Sequence, residues 1–97
     1  MAIVAKENGN GEYSSAKLTT NDLQNFLFGR IEARVKIPTG QGIWPAFWML
    51  PTNSTYGGWP SSGEIDIMEH YGCDSMYSGK PFSTVHTNMF NLSLIHI

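Results

Sequence analysis

Apolar residues in this chain recur mostly at every second position, which sends successive side chains to opposite faces of a strand. The pattern predicts strands over Ala2–Ala5, Glu12–Leu18, Phe28–Ile37, Trp44–Leu50, Gly63–Tyr71 and Thr84–Thr87. Turn signals separate them. Asn8-Gly9-Asn10-Gly11 is the strongest, because Asn-Gly supplies the positive φ values of a hairpin. Pro38-Thr39-Gly40-Gln41-Gly42 closes the next pair, and Asn53 through Gly63 reads as a long surface loop. The cleanest alternation puts Ile31, Ala33, Val35 and Ile37 on a core face. Arg30, Glu32, Arg34 and Lys36 take a face that is either solvent or the floor of a polar groove. Many short alternating strands point to an all-β fold, an antiparallel β-sandwich or jelly roll in which two sheets pack face to face.

Composition narrows the ligand classes. The 97 residues allow one domain at most, and 41% hydrophobic with 14% charged residues is a globular balance. Ser, Thr, Asn, Gly and aromatic residues suit strands, tight turns and neutral polar ligands. A formal net charge of −2 with no Lys/Arg cluster argues against nucleic acid and against an anionic membrane surface. No apolar run approaches the roughly 20 residues that span a bilayer, and Met1-Ala2-Ile3-Val4-Ala5-Lys6 lacks a signal-peptide layout. The lone Cys73 makes neither a disulfide framework nor a metal knuckle, so it reads as a packed or partly exposed thiol.

The chemistry concentrates in Gly63-Glu64-Ile65-Asp66-Ile67-Met68-Glu69-His70. Ile65 and Ile67, both β-branched, alternate with acids and favour a strand. Glu64 and Asp66 then share one face, whereas strict alternation would turn Glu69 inward with the isoleucines, where an unpaired charge is costly. A β-bulge at Ile67-Met68 repairs the parity and returns Glu69 to the acidic face. Glu64 and Glu69 would then stand four strand steps apart, about 13 Å between Cα atoms. Glutamate arms leaning together would bring the carboxyl groups to roughly 5 to 6 Å, nearer the retaining than the inverting glycosidase arrangement. Three acids on one face also raise at least one pKa, so one carboxyl can keep a proton as general acid while another stays ionised as nucleophile. Two alternatives stay open: a merely solvated acidic face, or a metal site with Asp66, Glu69 and His70 on one side of a helix and His86 as a distant addition. The isoleucines and flanking glycines oppose that helix, and no metal is expected.

In several ordered segments the chain resembles glycoside hydrolase family 16, in particular its laminarinase-like endo-1,3-β-glucanases. The segments are Tyr13–Thr20, Phe28–Pro38, Gly42–Pro51, Trp59–Glu64 and Val85-His86-Thr87, and the likeness runs from about Ala2 to Asn88. The resemblance implies a concanavalin A-like jelly roll with a cleft across its concave sheet. It assigns Glu64 as nucleophile, Asp66 as its assistant and Glu69 as acid/base. The extra Met68 is similar to the bulged laminarinase form, whereas lichenases and xyloglucan-modifying relatives usually have the shorter E-x-D-x-E. That tilts the expected substrate toward laminarin-type β-1,3-glucan; mixed-linkage glucan and algal galactan remain alternatives. Trp44 and Trp59 would line sugar subsites, each stacking its indole face on a pyranose while its N–H finds a hydroxyl. Trp48 reads more as core. Arg34 and Glu32 would reach sugar hydroxyls from the cleft floor, and His86 would hydrogen-bond near the catalytic acid.

The expected activity is a retaining endo-β-glucanase; the alternatives are a glucan-binding module on the same fold that has lost catalysis, and a transglycosylase. The resembled domain is considerably longer. Residues 1–91 are therefore expected to be part of a catalytic domain that is extracellular or periplasmic, monomeric when complete, and free of cofactors apart from a structural calcium elsewhere in the domain. The ending Asn91–Ile97 departs from the family, and residues 92–97 read as a non-native read-through tail. Asn53-Ser54-Thr55 and Asn91-Leu92-Ser93 fit the N-glycosylation triplet.

Overall fold

A computed structural model describes residues 1–72, 79–89 and, for the backbone, 93–96. The chain is all-β, as expected, with no helix among the described residues. Its strands are β1 (Lys6–Glu7), β2 (Tyr13–Ser14), β3 (Ala46–Met49), β4 (Glu64–Glu69), β5 (Phe82–His86) and β6 (Ser93–His96). β1 and β2 form a two-stranded antiparallel ribbon, and the rest form a four-stranded sheet in the order β3-β4-β5-β6. Every pairing is antiparallel.

The Asn-Gly turn makes the first hairpin. Gly9 and Gly11 take φ values of 87° and 83°, and the Asn8 N–H donates to the Glu12 carbonyl at 2.9 Å. Pairing then covers only Lys6↔Ser14 and Glu7↔Tyr13. The expected strand at Ala2–Ala5 is displaced onto Lys6–Glu7, next to the turn that sets the register, and Glu12–Leu18 shrinks to two residues.

A larger departure concerns Phe28–Ile37, which belongs to no strand among the described residues despite its alternation. A strand exists only where a neighbour takes up its N–H and C=O groups, and no described strand lies beside this segment. Of its expected core face, Ile31 and Ile37 are half-buried, while Ala33 and Val35 are exposed. Pro38–Gly42 still turns, but the pair it was to close does not form. Asn53–Gly63 runs as turns and bends, as expected.

The bulge is present. On one side of β4 the register steps from Phe47↔Met68 to Trp48↔Asp66. On the other it steps from Asp66↔Thr84 to Glu69↔Phe82. Both neighbours thus see one extra residue between Asp66 and Glu69. A bulge leaves ladder groups unpaired, and here the Ser83 hydroxyl donates to the Ile67 carbonyl at 2.7 Å.

Register places Ala46 and Trp48, then Glu64, Asp66 and Glu69, then Phe82, Thr84 and His86 on one face of the sheet. Contrary to the expectation that the isoleucines face inward, this polar face is the covered one. Phe82 is the single buried apolar side chain among the described residues, and Asp66, Glu69, His70, Thr84 and His86 are buried with it. On the opposite face Ile65 is 50% exposed and Val85 41%. Segments carrying Trp44, Trp59 and Tyr71 fold over the acids, whereas no second sheet packs on the isoleucines among the described strands. Cys73, Asn91, Leu92 and Ile97 lie outside the described residues. Within the tail, the backbone of Ser93–His96 continues the sheet beside β5.

Candidate active site

β4 presents its three acids to one cavity of about 190 Å³, lined by Trp44, Ala46, Trp48, Glu64, Asp66 and Glu69. Each acid has its own surroundings. Glu64 is half-buried and receives the Trp59 indole N–H on Oε2 at 2.6 Å. Asp66 is buried, with the Nε2 of His86 at 2.9 Å from Oδ2 and a further hydrogen bond to Glu64. Glu69, also buried, accepts the Trp44 indole N–H on Oε1 at 2.8 Å and the Thr84 hydroxyl on Oε2 at 3.4 Å.

Asp66 is raised from 3.8 to about 6. Burial away from water is the first cause; the charges of Glu69 and Glu64 and the hydrogen bond to Glu64 add to it, and the bond to His86 opposes it. The central acid therefore keeps a proton into the mildly acidic range and can give it to the neighbouring glutamate. Crowding three acids on one face predicts at least one raised pKa, and the raised one is that of Asp66.

The aromatic frame has two arms. Trp44 meets Tyr71 edge-on with centroids 4.7 Å apart, and Tyr71 packs on Phe82 at 4.8 Å. Backbone bonds hold that arm: the His70 N–H donates to the Pro45 carbonyl at 3.1 Å and the Gly72 N–H to the Ile43 carbonyl at 3.0 Å. Gly72 is required for that crossing, since a Cβ would collide with the Gly40 carbonyl and the Ile43 side chain. In the other arm Trp59 lies 5.7 Å from the His86 ring. Trp44 and Trp59 are 65% and 57% exposed, so neither is core, and their N–H groups go to carboxylates rather than standing open for hydroxyls. Trp48 lines the cavity, half-buried, with the Lys17 ammonium 4.4 Å from its ring.

His86 thus joins the acids, bonded to Asp66 rather than to Glu69. His70 does not: its Nδ1–H donates to the Lys80 carbonyl at 3.3 Å. The helical metal reading fails because β4 is a strand. Glu64, Asp66 and His86 do bring one donor atom each within 4.8 Å of one another, a closeness that their mutual hydrogen bonds explain. Glu32 and Arg34, expected on the cleft floor, are exposed and outside the cavity lining. Glu32 pairs instead with Arg30 at 2.7 Å, and with no strand beside Phe28–Ile37 nothing holds that polar face against β4. Sequence reasoning passed over Ser83, Thr84, Tyr71 and Phe82. Parity in β5 was the available signal for Thr84 and Phe82, since both fall two-fold in register with His86.

The chain is similar to several known proteins. It is 48% identical over 82 residues to a Beta-glucanase of Rhodothermus marinus, covering 82% of this chain and 28% of that protein. It is 54% identical over 65 residues to a Glucan endo-1,3-beta-glucosidase of Cryptopygus antarcticus, covering 67% of this chain and 23% of that protein. It is also 54% identical over 61 residues to a Beta-1,3-glucan-binding protein of Penaeus monodon, covering 63% and 17%. The chain spans less than a third of each of these relatives. The sequence pattern of the glycosyl hydrolases family 16, whose fold is a jelly roll, matches residues 2–93. With most of its length inside that pattern, the chain belongs to glycosyl hydrolases family 16.

Proposed function

We propose that the protein carrying this chain is a retaining endo-β-glucanase that cuts internal β-1,3-glucosidic bonds of laminarin-type polysaccharide. One observation carries the reading: three acids of one bulged strand face a single cavity, the outer two each held by an indole N–H and the central one with its proton affinity raised. Glu64 attacks the anomeric carbon as the C1–O bond breaks, and Glu69 gives its proton to the leaving oxygen. In the second step Glu69 takes a proton from water, the water oxygen bonds to C1, and the ester to Glu64 is released. Asp66, bonded to Glu64, orients it and can supply a proton as the ester departs.

The domain that contains this chain acts outside the cytoplasm as a monomer, with no cofactor in the reaction. Any structural calcium sits elsewhere in it. Residues 92–97 are read-through; genomic resequencing past Asn91 should return a different continuation, and the same codons in intact DNA would refute this. For the activity, the full-length protein is incubated with laminarin, mixed-linkage glucan and agarose, beside Glu64→Ala. Laminarin should release most product, and Glu64→Ala almost none. Unchanged release in that variant removes Glu64 as nucleophile.

A glucan-binding role without catalysis is the second reading, favoured by the likeness to the Penaeus monodon protein. It predicts retention of laminarin on an affinity gel with no product from any of the three polysaccharides.

A further inference from the structure

We propose that Trp44 and Trp59 are positioning residues for the two outer carboxylates, each presenting its ring face to a sugar while its indole N–H fixes the orientation of one glutamate. The proposal rests on the hydrolase reading above, and assigns to these side chains a task that stacking alone does not include.

An indole has a single N–H, which donates and cannot accept. The two N–H groups are used at 2.8 Å on Glu69 and 2.6 Å on Glu64, in the range of charge-assisted hydrogen bonds. A sugar hydroxyl therefore cannot claim them without releasing a carboxylate. The two residues meanwhile remain more than half exposed, which leaves ring surface for a sugar beside the aromatic neighbour of each. Each ring is also braced: Trp44 by Tyr71, which leans on Phe82, and Trp59 by His86, which is bonded to Asp66. A sugar stacked on either face thus presses on a side chain whose edge already holds a reacting group, coupling occupancy to carboxylate orientation. Because the donor favours the charged form of the carboxylate, losing it favours protonation.

The test replaces each tryptophan in the full-length protein with 3-benzothienyl-alanine, in which sulfur stands where the N–H was and shape and stacking face are kept. Expected is a fall in kcat of about tenfold to a hundredfold with KM within about threefold. At position 59 the acidic limb of the pH–rate profile should also move to higher pH. Thermal melts matching the parent exclude a folding defect, and Trp44→Phe and Trp59→Phe give the same kcat loss by a second route. A kcat within twofold of the parent and a superimposable pH profile overturn the proposal, as does a rise in KM alone. Glu64→Ala is run beside them. If it is inactive while the isosteres are fully active, the positioning role fails and the hydrolase reading stands. If it is fully active, the hydrolase reading fails first.

Discussion

Glu64 and Glu69 are the same residue on the same face of the same strand, yet the two ends of β4 are different places. Glu64 is half-buried at the end of the Asn53–Gly63 loop, with one indole donor and Asp66, whose proton affinity is raised, as its companion. Glu69 lies past the bulge, buried, with an indole on one oxygen, a hydroxyl facing the other, and an aromatic stack from Trp44 through Tyr71 to Phe82. Residue type does not separate their chemistry. What separates the two ends is access to water and the kind of partner each oxygen has: a tryptophan N–H can only donate, whereas the Thr84 hydroxyl, which donates to Glu69, belongs to a group that can also accept. Under the proposed mechanism one glutamate attacks and the other transfers a proton, and the different neighbours at the two ends of one short strand are the feature on which that division would rest.

The largest expected effect tests that division directly. Glu64→Ala should lower turnover by a thousandfold or more, roughly, on laminarin and on an aryl glycoside with a good leaving group alike, because both need the covalent step. Glu69→Ala should lose about a hundredfold to ten-thousandfold on laminarin but far less on the aryl glycoside, whose leaving group needs no proton. The comparison is made on kcat/KM, which reports the first step, because hydrolysis of the ester in the second step needs Glu69 with either substrate; an exchanged pattern reverses the roles of the two ends. Next comes the residue between them. With Asp66 raised from 3.8 to about 6, the folded protein binds more protons than the unfolded chain across that interval, so stability declines as pH rises through it. The decline attributable to Asp66 is about 3 kcal/mol, complete once pH passes the folded value. Melting temperatures from pH 4 to 8 should fall in the parent and flatten in Asp66→Asn; parallel curves for the two proteins would falsify the assignment.

How much of this was legible in the sequence depends on the range of the interaction that decides each element. The Asn8–Gly11 turn and the bulge are local matters: glycine at positive φ in one, side-chain parity in the other. Both form where pattern reasoning expects them. The convergence of Glu64, Asp66 and Glu69 follows from the same parity. Phe28–Ile37 alternates more cleanly than any other segment, yet it pairs with nothing described, because alternation specifies a face and not a neighbour. Trp44 and Trp59 were legible as site residues but not by what their N–H groups do. For Trp44 that depends on the crossing of Ile43–Pro45 with His70–Gly72, a contact between segments far apart in sequence, and for Trp59 on the turns that fold it back over Glu64, five residues on. Ser83 left no signal at all, since its value lies in standing opposite a freed carbonyl.

That serine offers the next measurement. Ser83→Ala leaves the Ile67 carbonyl without its hydroxyl donor at a half-buried position, and should lower unfolding stability by about 1 to 2 kcal/mol in urea titration. The disturbance belongs to the Glu69 end. Activity on laminarin should drop more than activity on the aryl glycoside, which depends on Glu64 alone for its first step. Equal losses on both substrates would show that the bulge steadies the whole strand and not one end of it.

The smallest effect comes from removing the bulge itself. Deleting Met68 leaves a single residue between Asp66 and Glu69, opposite Ser83 on one neighbour and Phe47 on the other. The flanking pairs Asp66↔Thr84, Glu69↔Phe82, Trp48↔Asp66 and Ala46↔Glu69 can then close into unbroken ladders. Alternation in the shortened strand still puts all three acids on the cavity face, four steps apart from first to last. Laminarin turnover should therefore stay within about tenfold of the parent, against the hundredfold that a displacement of 1 Å at a reacting group can cause. A loss as large as that of Glu69→Ala would mean that the backbone kink, and not the face on which the acid stands, brings the Glu69 end to its task. The extra residue would then be a part of the chemistry, rather than one of two interchangeable ways to solve the same parity.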